Sequence, residues 1–382
     1  MKNLYRIYTA VLVLFLWGCS AFEPETKAER LVIASWNVQN LFDGSDNGFE
    51  YDEFKNSAGW NEEKYRARLN GIIGALKSDS LNPDILALIE VENAAVIQDL
   101  AECSNLGYYW TFFASAPDSP VGMGVLSRLP LTETRVHSIH SSEGSIPRPV
   151  AEVWADTGSG PLVLMVCHWK SKLGGERKTE ALRRSAAALI VRRLGEIAVK
   201  NPEIPVIILG DLNENYDEFI RIGKAYPCAL LPDTGEAAAL IQKVPTRSAS
   251  SGFGDFLVLS GQKPPRTDHF SETTAALYSP WLEMEKSLGD RESSWQGGSH
   301  QENQGSFYYK DTWETIDHFL INAALFTQRI TSGWEYGQFR VLAEPPFTNG
   351  AGLPYSYNPR TCSGLSDHLP IVLILNRERQ GR

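Results

Sequence analysis

The sequence has little with which to hold a soft metal or a disulfide framework. Its 382 residues include 5 cysteines and 7 histidines. No CxxC pair and no HExxH occurs, which excludes a zinc ribbon and the common helical zinc-protease site. Cys103, Cys167, Cys228 and Cys362 follow no recognisable spacing, and free, buried thiols are the expectation for them. No membrane-length apolar run follows the N-terminal segment. Positive charge is short as well: 46 acidic against 36 basic residues leave a formal charge of −10. A domain living by non-specific phosphate contacts is normally basic, so an anionic substrate would have to be held at a local site with metal help.

The first residues, MKNLYRIYTAVLVLFLWGCS, read as an export signal. Lys2 and Arg6 precede a short apolar stretch at 7–17, which is too short to span a bilayer comfortably. It ends in Leu16-Trp17-Gly18-Cys19, a lipobox-like ending in which Trp17 stands where a small residue is usual. The expected organisation is a signal peptide at 1–18, a lipidated Cys19 with a polar tether over 19–29, and one domain over 30–378. Plain secretion or an uncleaved anchor is the alternative. Either way the protein is expected outside the cytoplasm, in the cell envelope, periplasmic or surface-exposed. Loss of Lys2 and Arg6 takes the charge from −10 to −12.

Apolar runs of strand length recur at 31–38, 84–91, 121–127, 162–170, 206–213, 315–322 and 369–375. Their near-continuous Val/Ile/Leu character predicts strands covered on both faces. Helices are predicted over 61–78, with Tyr65, Leu69, Ile72, Ile73 and Leu76 on one face and Asn61 as cap, and over 175–199. The result is a layered α/β domain. Residues 241–312, rich in Ser, Gly, Gln and Glu, read as an elaborated insertion with one helix near 280–288.

Polar residues gather at the ends of these runs: Asn37, Glu90, His168 with Lys170, Asp211 with Asn213, Asp317, and Asp367-His368. Residues two apart in a strand share a face, which aligns His168 with Lys170 and Asp211 with Asn213. Adjacent strands would bring the carboxylates into one cleft, where they repel unless a cation sits among them. Glu90, Asp367 and the amide oxygen of Asn37 are hard donors suited to Mg²⁺ or Mn²⁺ rather than zinc. A hard metal, carboxylates, a lysine and two histidines suit phosphoester cleavage.

The ordered set SWNVQNLF, LIEVEN, GVLSR, HWKSK, GDLNEN, IDHFLIN and SDHLPIV resembles the endonuclease/exonuclease/phosphatase superfamily, over residues of about 30 to 376. The resemblance implies a four-layer α/β/β/α sandwich, two packed mixed sheets flanked by helices, with the site at one edge. Position by position it implies metal ligation by Glu90, with Asn37 beside it and Asp367 on or near the ion. It implies that Asp211 orients or deprotonates the attacking water and that Asn213 holds the water or a phosphate oxygen. His368 would bond the scissile phosphate, oriented by Asp317, while His168 would bind phosphate or act as an acid. Lys170 would neutralise phosphate, with Arg183 or Arg184 in support. Two departures stand out: Gln39 replaces an acidic residue, and His168 has no obvious acidic partner.

Each residue also has a plainer reading. Asp211 and Asn213 suit a turn, Asn37 can cap a strand, and Lys170 and above all Lys172 can be solvated charge. His318 faces away from Asp317 along a strand and is expected to pack, and Asp268-His269 is expected on the surface. The favoured function is an exported Mg²⁺-dependent nuclease acting on DNA or RNA. A phosphatase or sphingomyelinase-like hydrolase, with a phospholipid headgroup or inositol phosphate as substrate, is the alternative. A non-catalytic surface binding protein on the same scaffold is a third reading, and a zinc hydrolase a remote one. A monomer tethered to the membrane through its N-terminal lipid is expected.

Overall fold

Side chains alternate across a strand, and in this chain the central strands share their residues between two different hydrophobic layers. The computed structural model describes residues 29–141, 144–242, 255–264, 275–285, 305–326 and 333–377. The export signal, Cys19, Asp268-His269 and His300 lie outside the described residues.

The strands β1 (Glu29–Leu41), β2 (Ile85–Val91), β3 (Trp110–Ala114) and β4 (Gly122–Ser127) come first, with helices α1 (Glu62–Leu76) and α2 (Ala94–Ser104) between them. Next come β5 (Leu131–Ser141), β6 (Gly144–Asp156), β7 (Pro161–His168), helix α3 (Glu176–Lys200) and β8 (Val206–Asp211). Shorter elements follow: α4 (Glu218–Arg221), β9 (Leu230–Pro232), α5 (Gly235–Ile241), β10 (Leu257–Ser260) and β11 (Ala275–Tyr278). A hairpin of β12 (Phe307–Tyr309) and β13 (Thr312–Glu314) leads into β14 (Asp317–Ile321), and β15 (Glu335–Val341) and β16 (Ile371–Arg377) close the chain.

Among the described residues these strands form two large sheets. One is six-stranded in the order β15-β16-β1-β2-β4-β3, the other eight-stranded in the order β5-β6-β7-β8-β14-β11-β10-β9. Both are mixed: β1–β2 and β7–β8 run parallel, while β1–β16 and β8–β14 run antiparallel. Leu31 and Ile33 of β1, Leu164 and Val166 of β7, and Ile207 and Leu209 of β8 fill the layer between the sheets. The intervening residues turn outward. Ala34, Trp36 and Val38 pack under α1 and α2, and Val163, Met165, Val206 and Ile208 pack under α3. The architecture is the expected α/β/β/α sandwich.

Helix α1 is placed as predicted: Asn61 accepts a hydrogen bond from the Lys64 N–H at its start, and Tyr65, Leu69, Ile72, Ile73 and Leu76 are buried. Strands β3, β5, β6 and β15 and helix α2 had no continuous apolar run to mark them. LTETRVHSIHS, for example, is an edge strand with much of its surface exposed. Residues 241–312, read as an insertion, are in part framework: β10 and β11 belong to the eight-stranded sheet, residues 281–285 are helical, and Trp281 is buried. Among the described residues Cys103, Cys167, Cys228 and Cys362 are free thiols, and no helix is long and apolar enough to cross a membrane.

One glycine is required for the two central strands to approach. Gly210 has φ +124°, and a Cβ there would lie 2.0 Å from the carbonyl oxygen of Cys167, its partner in β7. Gly210→Ala combines backbone strain with a main-chain clash and is expected to cost about 2–4 kcal/mol. The check is a lowered urea midpoint at unchanged slope; an unchanged midpoint would contradict the packing described.

Candidate active site

The face that carries Ile207, Leu209, Leu164 and Val166 into the inter-sheet layer continues, at the strand ends, into ionisable residues. His168, Asp211 and Asp317 occupy adjacent positions across β7, β8 and β14, with His168 paired to Asp211 and Asp211 to Asp317. Asn37 continues the same face on β1 of the other sheet. Glu90 does not fit the alternation, since Ile85, Ala87 and Ile89 already face the inter-sheet layer. A left-handed backbone at Glu90 (φ 66°) coincides with a register break in the pairing of β2 with β4. This break turns the carboxylate back to the cluster.

Asn37 ties the two sheets together at this edge. Its Nδ2 donates to Glu90 Oε1 (3.1 Å) and to Asp211 Oδ2 (3.1 Å), and its Oδ1 accepts from the Gln39 N–H (3.0 Å). The Asn40 N–H donates to Glu90 Oε2 (3.1 Å). His168 Nε2 lies 3.6 Å from Glu90 Oε1 and 3.8 Å from Asp211 Oδ2, which supplies the acidic neighbours its sequence context lacked. On the other side of Asp211, His368 Nδ1 is 2.8 Å from Asp317 Oδ2, and Ser306 Oγ donates to the same oxygen at 2.6 Å. The corner that carries His368 is fastened to β1: Ser366 Oγ donates to the Asn37 carbonyl (2.6 Å) and Trp36 Nε1 to the His368 carbonyl (3.0 Å). Phe307 stacks on the His368 ring at 4.4 Å.

The charges follow from this geometry. Burial works against a charged His368, but Asp317, through charge and hydrogen bond, with Asp367 and Asp211, outweighs it and pushes the ring up to about 10. Burial drives His168 the other way, well below its ordinary value, helped by Arg148, His368 and Lys170. Asp211 is raised to about 7 by burial and by the charge of Asp317, against His368. Glu90 is raised by burial and by Asp367. An imidazolium therefore already serves Asp211 and Asp317. The other group of potential ligands, Glu90, His168 and Asp211, has donor atoms within 4.8 Å of one another, a neutral imidazole and two carboxylates that resist ionisation alone. A divalent cation fits there.

A third cluster, Glu180, Glu214 and Cys228, is already served by a cation. Arg183 donates to Glu180 Oε2 and Glu214 Oε2, and the N–H groups of Ala229 and Leu230 take the remaining oxygens.

Several expected placements differ. Asn37 turns its N–H groups to Glu90 and Asp211 and its oxygen to the Gln39 N–H. Asp367 lies outside both clusters at the site; its charge is felt at Glu90 and His368. Strand β7 stops at His168 and β8 at Asp211, so alternation places neither Lys170 nor Asn213. Lys170 Nζ bonds Ser171 Oγ, whereas Asn213, at φ 52°, donates its N–H to Asp211 Oδ1 (2.8 Å) and its Nδ2 to the Trp169 carbonyl (3.1 Å). Arg183 reaches the Lys170 segment through that residue's carbonyl, and Arg184 pairs with Asp255. Lys172 is not solvated charge: it pairs with Glu218 (2.7 Å) and Glu314 (3.4 Å). His318 packs as expected, buried and neutral, with Nε2 2.8 Å from the Glu214 carbonyl. Gln39 clamps the Tyr357 and Asp367 N–H groups with Oε1.

Three residues at the site had no signal in the sequence. Arg148, on the unpredicted β6, donates to the Trp169 carbonyl and places positive charge near His168 and Glu90. Ser306 and Phe307 come from the hairpin segment, inside the stretch read as an insertion.

Residues 32–220 match the model of the Endonuclease/Exonuclease/phosphatase family. Among solved structures, truncated TDP2 from Caenorhabditis elegans is 15% identical, with a TM-score of 0.48 over 91% of this chain and 97% of that one. The human Nocturnin catalytic domain with bound sulfate anion is 16% identical, with a TM-score of 0.47 over 91% and 97%. An endonuclease/exonuclease/phosphatase family protein from Bacteroides thetaiotaomicron is 15% identical, with a TM-score of 0.45 over 93% and 100%. No curated protein matches the chain at a significant level.

The Asp317–His368 contact makes a direct prediction for the metal-free protein. In a histidine NMR titration the His368 ring should keep its second proton to a pH of about 10. In Asp317→Asn burial is left unopposed by its largest counterweight, and the proton should be lost several pH units lower. A His368 titration unmoved by the substitution would remove Asp317 as the cause.

Proposed function

The chain belongs to the endonuclease/exonuclease/phosphatase superfamily, and from that premise we propose that it is a divalent-metal phosphoesterase, a nuclease that hydrolyses DNA or RNA by attack of water. The observation that carries this reading is the position of Asp211, between a neutral His168 with Glu90 and a charged His368 with Asp317. In that place Asp211 would orient the attacking water and take its proton. Asn213, joined to Asp211 through its own N–H, would hold the water or a phosphate oxygen. His368, kept charged by Asp317, donates toward a phosphoryl oxygen, and Arg148 and Lys170 add positive charge on the other side. Glu90 would hold Mg²⁺ or Mn²⁺, with His168 and Asp211 in reach and Asp367 close by. When bound, the ion neutralises charge on the phosphoryl oxygens and polarises the ester. His168, being neutral, is available as a ligand or hydrogen-bond partner rather than as an acid.

The net charge of −10 supports a substrate held at this site alone, without a basic tracking surface. It also keeps a phospholipid headgroup or an inositol phosphate as the alternative substrate class. Export as a monomer tethered through lipid on Cys19 completes the proposal. Labelled fatty acid should be incorporated by the wild type and not by Cys19→Ala, and incorporation that survives the substitution would remove the anchor.

The test is a substrate panel with Mg²⁺, with Mn²⁺ and with EDTA: plasmid nicking, RNA cleavage, phosphocholine release and phosphate release from inositol phosphates. Chelation should abolish turnover and added metal restore it. Asp211→Asn and His368→Ala should each lower kcat by about 10²–10⁴-fold. Variants indistinguishable from wild type on every substrate would favour a binding protein on the same scaffold.

A further inference from the structure

At the far end of β14 from the catalytic cluster, three aromatic rings meet one carboxylate. Tyr278 ends β11 opposite Ile321, four residues along β14 from Asp317. Phe326 closes the short helical turn Ala323–Phe326, and Tyr336 lies in β15. The ring centroids are 4.9 Å apart for Tyr278–Phe326, 5.3 Å for Tyr278–Tyr336 and 5.6 Å for Phe326–Tyr336. The interplanar angles of 65°, 64° and 47° make them walls rather than a stack. Glu283 completes the box: its Oε2 accepts from the Tyr278 hydroxyl (2.5 Å) and the Tyr336 hydroxyl (2.7 Å). The ammonium of Lys263 sits over all three rings, 4.3 Å from the Tyr336 centroid, 4.9 Å from Tyr278 and 6.0 Å from Phe326.

We propose that this box is a binding site for an N-methylated ammonium group, with Lys263 as its built-in competitor. Ring faces attract a cation within about 6 Å of their centroids, and three such faces with a carboxylate make a cage for a cation that sheds water easily. The cage stands without Lys263, because the two phenols fix Glu283. Burial raises the carboxyl, but the hydrogen bonds of the two phenols, with the charge and hydrogen bond of Lys263, outweigh it and hold the group below its ordinary value. The phenols themselves are raised, by burial first and then by Glu283, and remain donors.

Lys263 is a loose occupant. Its Nζ is 3.4 Å from both oxygens of Glu283, whereas a charge-assisted bond closes to about 2.7–2.9 Å. Its side chain keeps 38% of its surface in water. A primary ammonium is compact and strongly hydrated, and among the described residues its three donors find one distant carboxylate. A quaternary ammonium needs no donor partners and can contact the rings through its methyl groups. Lys263 can then leave by rotating its own exposed side chain. The site is independent of the phosphoester reading, since it lies away from Asp211 and uses none of the cluster residues.

The experiment titrates the full chain with tetramethylammonium and with choline, followed by NMR and calorimetry, in the wild type and in Lys263→Ala and Lys263→Gln. The vacated box is expected to bind with a Kd on the order of 1 mM. The wild type should bind at least about 10-fold more weakly, and methylammonium more weakly than tetramethylammonium in every form. Tyr336→Leu added to Lys263→Ala should lose about 10-fold or more. Cosedimentation with phosphatidylcholine against phosphatidylglycerol vesicles identifies the source: pelleting with the first alone assigns a lipid headgroup, and binding of free choline alone assigns a soluble ligand. Folded Lys263→Ala and Lys263→Gln proteins that bind neither free cation nor vesicle would overturn the proposal and leave Lys263 a simple strap.

Discussion

The two-residue alternation of strand side chains is the constraint on which the rest of this molecule depends. It divides the residues of the central strands between two layers, so each sheet is covered on both faces and each strand can be almost wholly apolar. At the strand ends the same alternation delivers His168, Asp211 and Asp317 to neighbouring positions of one face. The apolar layer between the sheets thus ends in a charged one, with no loop needed to carry these three side chains. Rigid strands hold them better than a loop could.

Placing carboxylates this close in a buried edge is unfavourable unless positive charge is supplied. The chain supplies some of it. His368, charged through its contact with Asp317, serves one side of Asp211, and Asn37 separates Asp211 from Glu90 with two N–H groups. The side that holds Glu90 and a neutral His168 is left short of positive charge, and that imbalance makes it the natural place for a divalent ion. Left-handed backbone at Gln39, Asn40, Glu90 and Asn213 marks the same region. The strain is tolerated because Asn37, Asp211 and Gln39 each satisfy a neighbouring N–H with a side-chain oxygen.

The surroundings of the cluster are built to fix its outer members. Gln39 replaces a carboxylate expected from the resemblance, and its amide joins β1 to Tyr357 and Asp367. Lys172 joins the segment after β7 to Glu218 and Glu314, and Glu152, in the middle of β6, is held by Arg193 and His137. Lys172 and Glu152 are partly or fully buried charges whose partners come from distant parts of the chain, which is why Lys172 reads as solvated in the sequence. A buried charge without such a partner would be costly.

The sequence by itself determined the strands that are apolar on both faces, the helix capped by Asn61, and the polar residues that end those strands. These follow from local periodicity, which the chain carries residue by residue. Tertiary structure alone decided which polar ends meet. The register of β7, β8 and β14 put Asp211 between His168 and Asp317, and a register break at Glu90 turned that side chain against its own alternation. Arg148, Ser306 and Phe307 joined the site from segments with no apolar run to announce them. The direction of the Asn37 amide was likewise set by Gln39 and by two carboxylates from other strands. Such choices rest on contacts between residues tens to hundreds of positions apart, and no local pattern encodes them.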